Sequence, residues 1–380
     1  MGRILALLSA LVLVGGCRME TSTMRLYIGT YTGEKSQGIY CANLDLRNGK
    51  LSAPELAAKT TRPSFVVVHP SRPMVYAVDE VSDMAGKKTG AVRAFAMDTK
   101  TGKLTELNHE LTGGPGPCYV TIDHEEKNVL VANYAGGSVS VIPILEDGKL
   151  GKPTAFVQHH GSSVNPKRQE SPHAHSINPD PTNHFAVAAD LGMDKLMLYR
   201  FDSDKGTLQA NDPPCASTAP GAGPRHLVFS KNGKFAYVST EMGNTVIVFA
   251  YDGQRGALGE IQAISTLPAD YKDVSYAAEV ALHPNGRFLY VSNRGHDSIA
   301  VFAVDQGTGK LTSIGYAPCG GHWPRNFTVD PGGAFLVVAN EKSDRVVVFR
   351  IDAKTGMIGP AESEIEVGTP TCVRFAGPSR

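Results

Sequence analysis

Phe288-Leu289-Tyr290-Val291-Ser292-Asn293-Arg294 is an apolar, aromatic and β-branched run. It follows the turn Pro284-Asn285-Gly286-Arg287 and ends on polar residues. Runs of this kind, bounded by turn residues, read as strands. The pattern recurs at Met24–Tyr31, Pro73–Glu80, Asn128–Tyr134, His184–Asp190, Phe235–Glu241 and Phe335–Glu341. The seven runs end at 31, 80, 134, 190, 241, 294 and 341, so the spacing lies between 47 and 56 residues. A repeat near fifty residues, with no long helical periodicity between the runs, predicts an all-β, seven-bladed β-propeller.

Four antiparallel strands fit each unit. In the third they read Cys118–Asp123, Asn128–Tyr134, Ser138–Leu145 and Thr154–His159. Turns at Gly49-Lys50-Leu51, Gly102-Lys103-Leu104, Gly148-Lys149-Leu150 and Gly309-Lys310-Leu311 link third to fourth strands, with Gly supplying positive φ. None has phosphate-loop spacing. The chain enters on a second-type strand and leaves on a first-type strand, Pro370–Ala376. Pairing of the N- and C-terminal strands in one blade would close the ring and leave no open edge. Residues 24–376 are thus expected to form one propeller, with 377–380 a short tail.

Residues 1–17 have a different character. One basic residue, Arg3, precedes an apolar run that ends Val14-Gly15-Gly16-Cys17. The run falls short of the roughly 20 residues needed to span a bilayer. It reads as a signal peptide with a lipobox, Cys17 being the lipidated residue and 18–23 a linker. The expected location is the cell envelope, with membrane contact only through the lipid. Initiation at Met24 would instead yield a cytoplasmic chain. The other cysteines, Cys41, Cys118, Cys215, Cys319 and Cys372, are scattered without a CxxC, which argues against a disulfide framework or a zinc site. Lys and Arg total 37 and so do Asp and Glu, and no charged tail points to a nucleic-acid partner.

In such a blade the start of the first strand and the end of the second lie at one end, around the central channel. First-strand starts carry Ser64, Cys118, His173 and His175, Arg225 and His226, Glu279, Arg325 and Asn326, and Thr371. Second-strand ends carry Tyr31, Glu80, Tyr134, Asp190, Glu241, Arg294 and Glu341. His173 and His175, two apart in an extended strand, are expected to face the same way. Units four to six concentrate the chemistry: His175, Arg225, Glu241 and Arg294 are the catalytic candidates. Guanidinium groups there suit an anionic substrate, and a Glu or His beside them can take a proton from water. His173, Arg168, His226, Glu279 and Arg325 are the candidate substrate contacts, although Arg325 with Glu341 also reads as a staple between blades. The lone Trp323 reads as packing between blades. No nucleophile elbow and no His-Glu-x-x-His motif is present, so neither a cofactor nor a metal is expected.

Several stretches resemble the lactonase family of seven-bladed propellers. They are Tyr27-Ile28-Gly29-Thr30-Tyr31-Thr32-Gly33, the Asn165–Glu170 loop running into Pro172-His173-Ala174-His175-Ser176, Gly221-Ala222-Gly223-Pro224-Arg225-His226, Ala277-Ala278-Glu279, Ser292–Ser298 and Pro324-Arg325-Asn326-Phe327. That family includes a bacterial 6-phosphogluconolactonase type and a fungal carboxy-muconate cyclase. The resemblance implies a lactone-handling site, with the cyclase site falling on His175, Arg225, Glu241 and Arg294. It implies hydrolysis of a small lactone bearing an anionic group, such as 6-phospho-D-glucono-1,5-lactone; a monomer is expected because a closed propeller leaves no open edge. Ala281 stands where some relatives carry His or Arg, implying one polar group fewer in the pocket. A muconate-type lactonising reaction and a non-catalytic envelope binding protein are the alternatives.

Overall fold

The structure, a computed structural model, describes residues 23–377, so the segment ending at Cys17 lies outside the described residues. Seven antiparallel sheets surround one axis. The second to seventh blades run 66–111, 117–158, 174–217, 224–265, 276–318 and 324–366, each strand pairing with the next in sequence. The first blade is composite. Pro370–Phe375 forms its inner strand and pairs antiparallel with Thr23–Thr30, in register from Leu26↔Phe375 to Thr30↔Pro370. Each inner strand touches its neighbours on both sides, Pro370–Phe375 meeting Pro324–Val329 and Val66–Val68. The ring is therefore closed by hydrogen bonds that join the two ends of the described chain, as the repeat pattern predicts.

The second strands are the most buried elements. Asn128–Asn133, Phe235–Thr240, Phe288–Arg294 and Phe335–Asn340 are buried along their whole length. They lie between the inner strand and the third strand, and both faces meet neighbouring blades, which is why their sequences are continuously apolar. The fourth strands are outermost and largely exposed, as in Ile358–Glu366. The core is a set of apolar clusters between adjacent blades. Tyrosines pin some of these contacts. Tyr27, Tyr76 and Tyr290 donate their hydroxyls to the carbonyls of Gly102, Gly148 and Gly356, each in the next blade's third-to-fourth turn, at 3.0, 3.0 and 2.9 Å. Such a buried bond contributes about 1 kcal/mol net. The turn glycines Gly49, Gly102, Gly148 and Gly309 have φ of 72, 79, 83 and 72°, the left-handed region their role requires.

Cys41, Cys118, Cys319 and Cys372 are buried, Cys215 is half-buried, and all five are free thiols. No helix among the described residues is long and apolar enough to cross a membrane.

Candidate active site

The inner strands share one irregularity at their entry to the channel. Pro117 pairs with Asn133 but Tyr119 with Ala132. Ala174 pairs with Asp190 but Ser176 with Ala189. Pro224 and His226 repeat the pattern against Thr240 and Ser239, Pro324 and Asn326 against Asn340 and Ala339, and Pro370 and Cys372 against Thr30 and Gly29. Cys118, His175, Arg225, Arg325 and Thr371 are therefore the extra residues of five β-bulges. The sixth blade bulges at the same level, with Ala278 and Glu279 between the pairs Ala277↔Asn293 and Val280↔Val291. A bulge re-aims side chains that regular alternation would separate. Arg225 and its neighbour His226 accordingly both enter the channel, one above the other.

The lower layer is a floor. Phe65, Tyr119 and His226 come from the second, third and fifth blades, yet their rings meet: Phe65–Tyr119 at 4.5 Å, Tyr119–His226 at 5.2 Å and Phe65–His226 at 5.8 Å. Blades that are not adjacent can touch only on the axis. Glu279 completes this layer. One of its oxygens takes His226 Nδ1 at 3.0 Å; the other takes the Asn326 amide and Arg374 Nη2, the latter at 3.3 Å. Burial and the Arg225 charge hold the His226 imidazole down at about 4. Burial alone would push Glu279 up, but His226, Arg374 and Arg225 outweigh it and hold its carboxyl at about 2. His226 and Glu279, expected to contact substrate, are thus buried beneath the mouth with their partners filled.

The upper layer and the rim form the mouth. Glu241 collects three guanidinium groups: Arg168 Nη2 at 2.6 Å, Arg225 Nε at 3.0 Å and Arg294 Nη2 at 2.8 Å. Burial alone would raise its pKa, but Arg294, Arg225, His175 and Arg168 hold it well below the ordinary carboxylate range. A carboxylate so placed is a poor proton acceptor and a good anchor for cations. Burial and the Arg294 charge drive Arg225 down to about 10, which leaves it charged at neutral pH.

His175 sits beside this cluster. Its ring lies 5.1 Å from His226 and 5.3 Å from Tyr134. Its Nδ1 approaches Cys118 Sγ at 3.8 Å, while that thiol is 3.5 Å from the His175 carbonyl. In the tautomer whose Nδ1–H points at this sulfur, the lone pair lies on Nε2. Among the described residues Nε2 has no hydrogen-bond partner. Burial, Arg225 and His226 hold the ring's pKa well below 6.5, so the imidazole is neutral at pH 7.

Several expectations change here. His173 and His175 do not share a face of one strand. The strand begins at Ala174 and bulges at His175, and His173 precedes it, stacked on Tyr134 at 4.7 Å with Nδ1 bonded to the Tyr134 carbonyl at 3.0 Å. Asp190 does not reach the mouth. It is buried against His159 Nδ1 at 2.6 Å and receives the His173 backbone N–H at 2.8 Å. The register places Leu191 at the rim position that Glu241 and Arg294 occupy in the next blades. Arg325 and Glu341 lie 3.5 Å apart within one blade; the link to the next blade is Arg325 Nη2 to the Tyr31 hydroxyl at 2.8 Å. Ala281 packs in the apolar seam between the sixth and seventh blades, so it removes no polar group from the pocket. Trp323 lies between blades as expected, but its ring also carries Lys342 Nζ at 3.2 Å and faces Arg294 at 5.6 Å.

Arg168 reaches the mouth because its loop is tied down. Gln169 is fully buried and donates to the Leu191 carbonyl at 2.9 Å, and its own oxygen takes the Asn165 N–H. Asp194 takes the Ser163 hydroxyl at 2.6 Å and also the N–H groups of Gly221 and Gly223, at 2.6 and 2.7 Å. One carboxylate thus joins the Arg168 loop to the loop that leads into Arg225. Asp194 stands in no motif identified from the sequence. Its left-handed backbone, φ 53°, belongs to a tight turn between second and third strands.

The comparisons with known proteins agree with the seven-bladed fold. The family profile described as "Lactonase, 7-bladed beta-propeller" matches residues 25–375. A 6-phosphogluconolactonase of Bacillus subtilis (strain 168) is 41% identical over 349 residues, covering 92% of this chain and 97% of that protein. A 6-phosphogluconolactonase of Formosa agariphila is 32% identical over 312 residues, 80% of this chain and 86% of that one. Among solved structures, the periplasmic gluconolactonase of Pseudomonas aeruginosa superposes with a TM-score of 0.88 at 36% identity, covering 94% of this chain and 99% of its own.

Proposed function

This chain belongs to the lactonase family of seven-bladed β-propellers, and we propose that it hydrolyses a sugar lactone, with 6-phospho-D-glucono-1,5-lactone and D-glucono-1,5-lactone as the substrates to try first. The observation that carries this reading is the mouth itself. Glu241 holds Arg168, Arg225 and Arg294 together beside a neutral His175 whose Nε2 has no hydrogen-bond partner among the described residues. Around the whole rim, Arg62, Arg168, Arg225, Arg294 and Arg325 stand against Glu80, Glu241 and Glu341. The excess of two positive charges suits an anionic substrate and an oxyanion formed from it.

In the proposed reaction a water attacks the lactone carbonyl carbon as His175 Nε2 takes its proton. The new C–O bond drives the carbonyl electrons onto oxygen, and Arg225 and Arg294 stabilise that oxyanion. Collapse breaks the bond from the carbonyl carbon to the ring oxygen, and His175 returns its proton to that oxygen. The product is the open hydroxy acid, and the only co-reactant is water. Glu241 keeps two cations aimed at the carbonyl in a site too dry to tolerate them unpaired. The reaction is proposed to need no metal: Glu241 and Glu341 are paired with guanidinium groups, and the steps use only water and the side chains of the mouth. Each ring carries a complete site, so the monomer is the proposed working unit. An envelope location through Cys17 is proposed from the leader-like segment, and the periplasmic relative supports it.

Ring opening of both lactones by the purified protein, followed by proton release and by NMR of the product, tests the reading. A loss of no more than two-fold in Glu241→Ala or His175→Ala removes the roles assigned to them.

A further inference from the structure

The other half of the mouth is built differently. Glu80, at the end of the second blade's second strand, accepts the Tyr31 hydroxyl at 3.1 Å and the Ser64 hydroxyl. The Tyr31 hydroxyl spans both carboxylate oxygens, the second at 3.2 Å; a carboxylate has about four acceptor positions, so at least one remains free. Arg62 has left-handed backbone, φ 44°. That turn lays its guanidinium 4.5 Å over the Tyr31 ring, with Nε donating to the Glu80 carbonyl at 2.9 Å. Its two terminal nitrogens have no hydrogen-bond partner among the described residues. A depression of about 380 Å³ opens over these groups, lined by Arg62, Glu80, Ser82, Gly116 and Tyr134. That volume is within the range of small-ligand pockets, about 300–1,000 Å³.

Tyr134 joins the two halves. Its hydroxyl takes Arg168 Nη2 at 3.3 Å and its ring meets His175 at 5.3 Å, while the same side chain lines the depression. A guest whose carbonyl lies at His175 and Arg225 therefore extends across Tyr134 toward Glu80. We infer that Glu80 and Arg62 form a polyol-binding subsite, which selects lactones bearing ring and side-chain hydroxyls over bare lactones. The inference rests on the hydrolase reading for the placement of the carbonyl. Free carboxylate lone pairs accept from sugar hydroxyls, and the paired guanidinium N–H groups donate to them.

Binding separates this inference from catalysis. D-glucono-1,5-lactam, which is not hydrolysed, and 2-piperidone, the bare ring, are titrated calorimetrically into the full chain and into its Glu80→Gln and Arg62→Lys variants. The expected result is a preference of at least 30-fold for the gluconolactam in the parent chain, cut at least ten-fold by either substitution. A parent preference near one overturns the inference, even if a variant fails to fold. So does a preference left unchanged in both variants, the result expected if Glu80 only ties Tyr31 to Ser64. Parent protein that binds the gluconolactam selectively but does not open D-glucono-1,5-lactone sinks the hydrolase reading and leaves the subsite standing.

Discussion

Glu241 and Glu279 are both buried, both belong to the channel, and both hold three partners. They do different things. Glu241 gathers three guanidinium groups at the rim, and one of them, Arg168, arrives on a loop whose side chain is still 35% exposed. Glu279 is enclosed by His226, Asn326 and Arg374 on a floor sealed by the rings of Phe65 and Tyr119. At the rim the cations outnumber the carboxylate and keep donors for a guest. On the floor the donors of His226, Asn326 and Arg374 turn to Glu279 and not to a guest. The same ion-pair chemistry therefore prepares a site at one level and holds the blades together at the next. What separates the two is access, not residue type.

That contrast can be broken by experiment. The largest effect is expected for His175→Ala, a fall in kcat/KM of about 10²–10⁴-fold, the usual yield of a positioned proton acceptor, with the urea midpoint little moved. Steady-state kinetics on D-glucono-1,5-lactone measures it. Glu279→Ala should show the opposite balance. Removing the carboxylate strands Arg374 and the Asn326 amide in a buried layer, at a cost of about 3–5 kcal/mol in unfolding free energy. Chemical denaturation reads this directly. If Glu279→Ala instead cripples turnover in a protein of parental stability, the floor belongs to the site and the contrast fails.

The pH response sharpens the same distinction. His226 titrates at about 4 in the fold and near 6.5 when unfolded. Between those values the unfolded chain binds a proton that the folded chain does not. Stability is therefore full above pH 6.5 and falls as the pH drops toward 4, by on the order of 2 kcal/mol from this group. His226→Gln should flatten that fall, as seen in urea midpoints at pH 7 and 4.5. Catalysis should not follow the same curve. His175 is held well below 6.5, so the acid limb of kcat/KM lies well below that pH. The smallest effect is expected for Arg168→Ala. A partly exposed arginine at 2.6 Å from Glu241 should raise KM about ten-fold, equivalent to about 1.4 kcal/mol, and the rise should shrink at high salt.

The repeat of strand and turn was readable in the chain before any coordinates. Seven runs such as Phe288–Arg294, their spacing and the two incomplete ends determine the number of blades and the way the ring closes. Local chemistry suffices for this, because alternation, turn glycines and continuous burial are written into a few neighbouring residues. The motifs around His175, Arg225, Glu241 and Arg294 likewise placed those four at one end of the channel. The bulges were not readable. The extra residues are Cys118, His175, Arg225, Ala278, Arg325 and Thr371, five residue types in six positions, so nothing local marks the inserted position. Yet a single extra residue reverses the alternation. It separated His173 from His175 and sent Arg225 and His226 into one channel at two depths. Which of the buried acids stays open to a guest and which is sealed depends on partners from strands 16 to 95 residues away. Sequence alone determined the ring and its face; only the packing of seven inner strands on one axis, six of them bulged, decided the layer in which each charge is held.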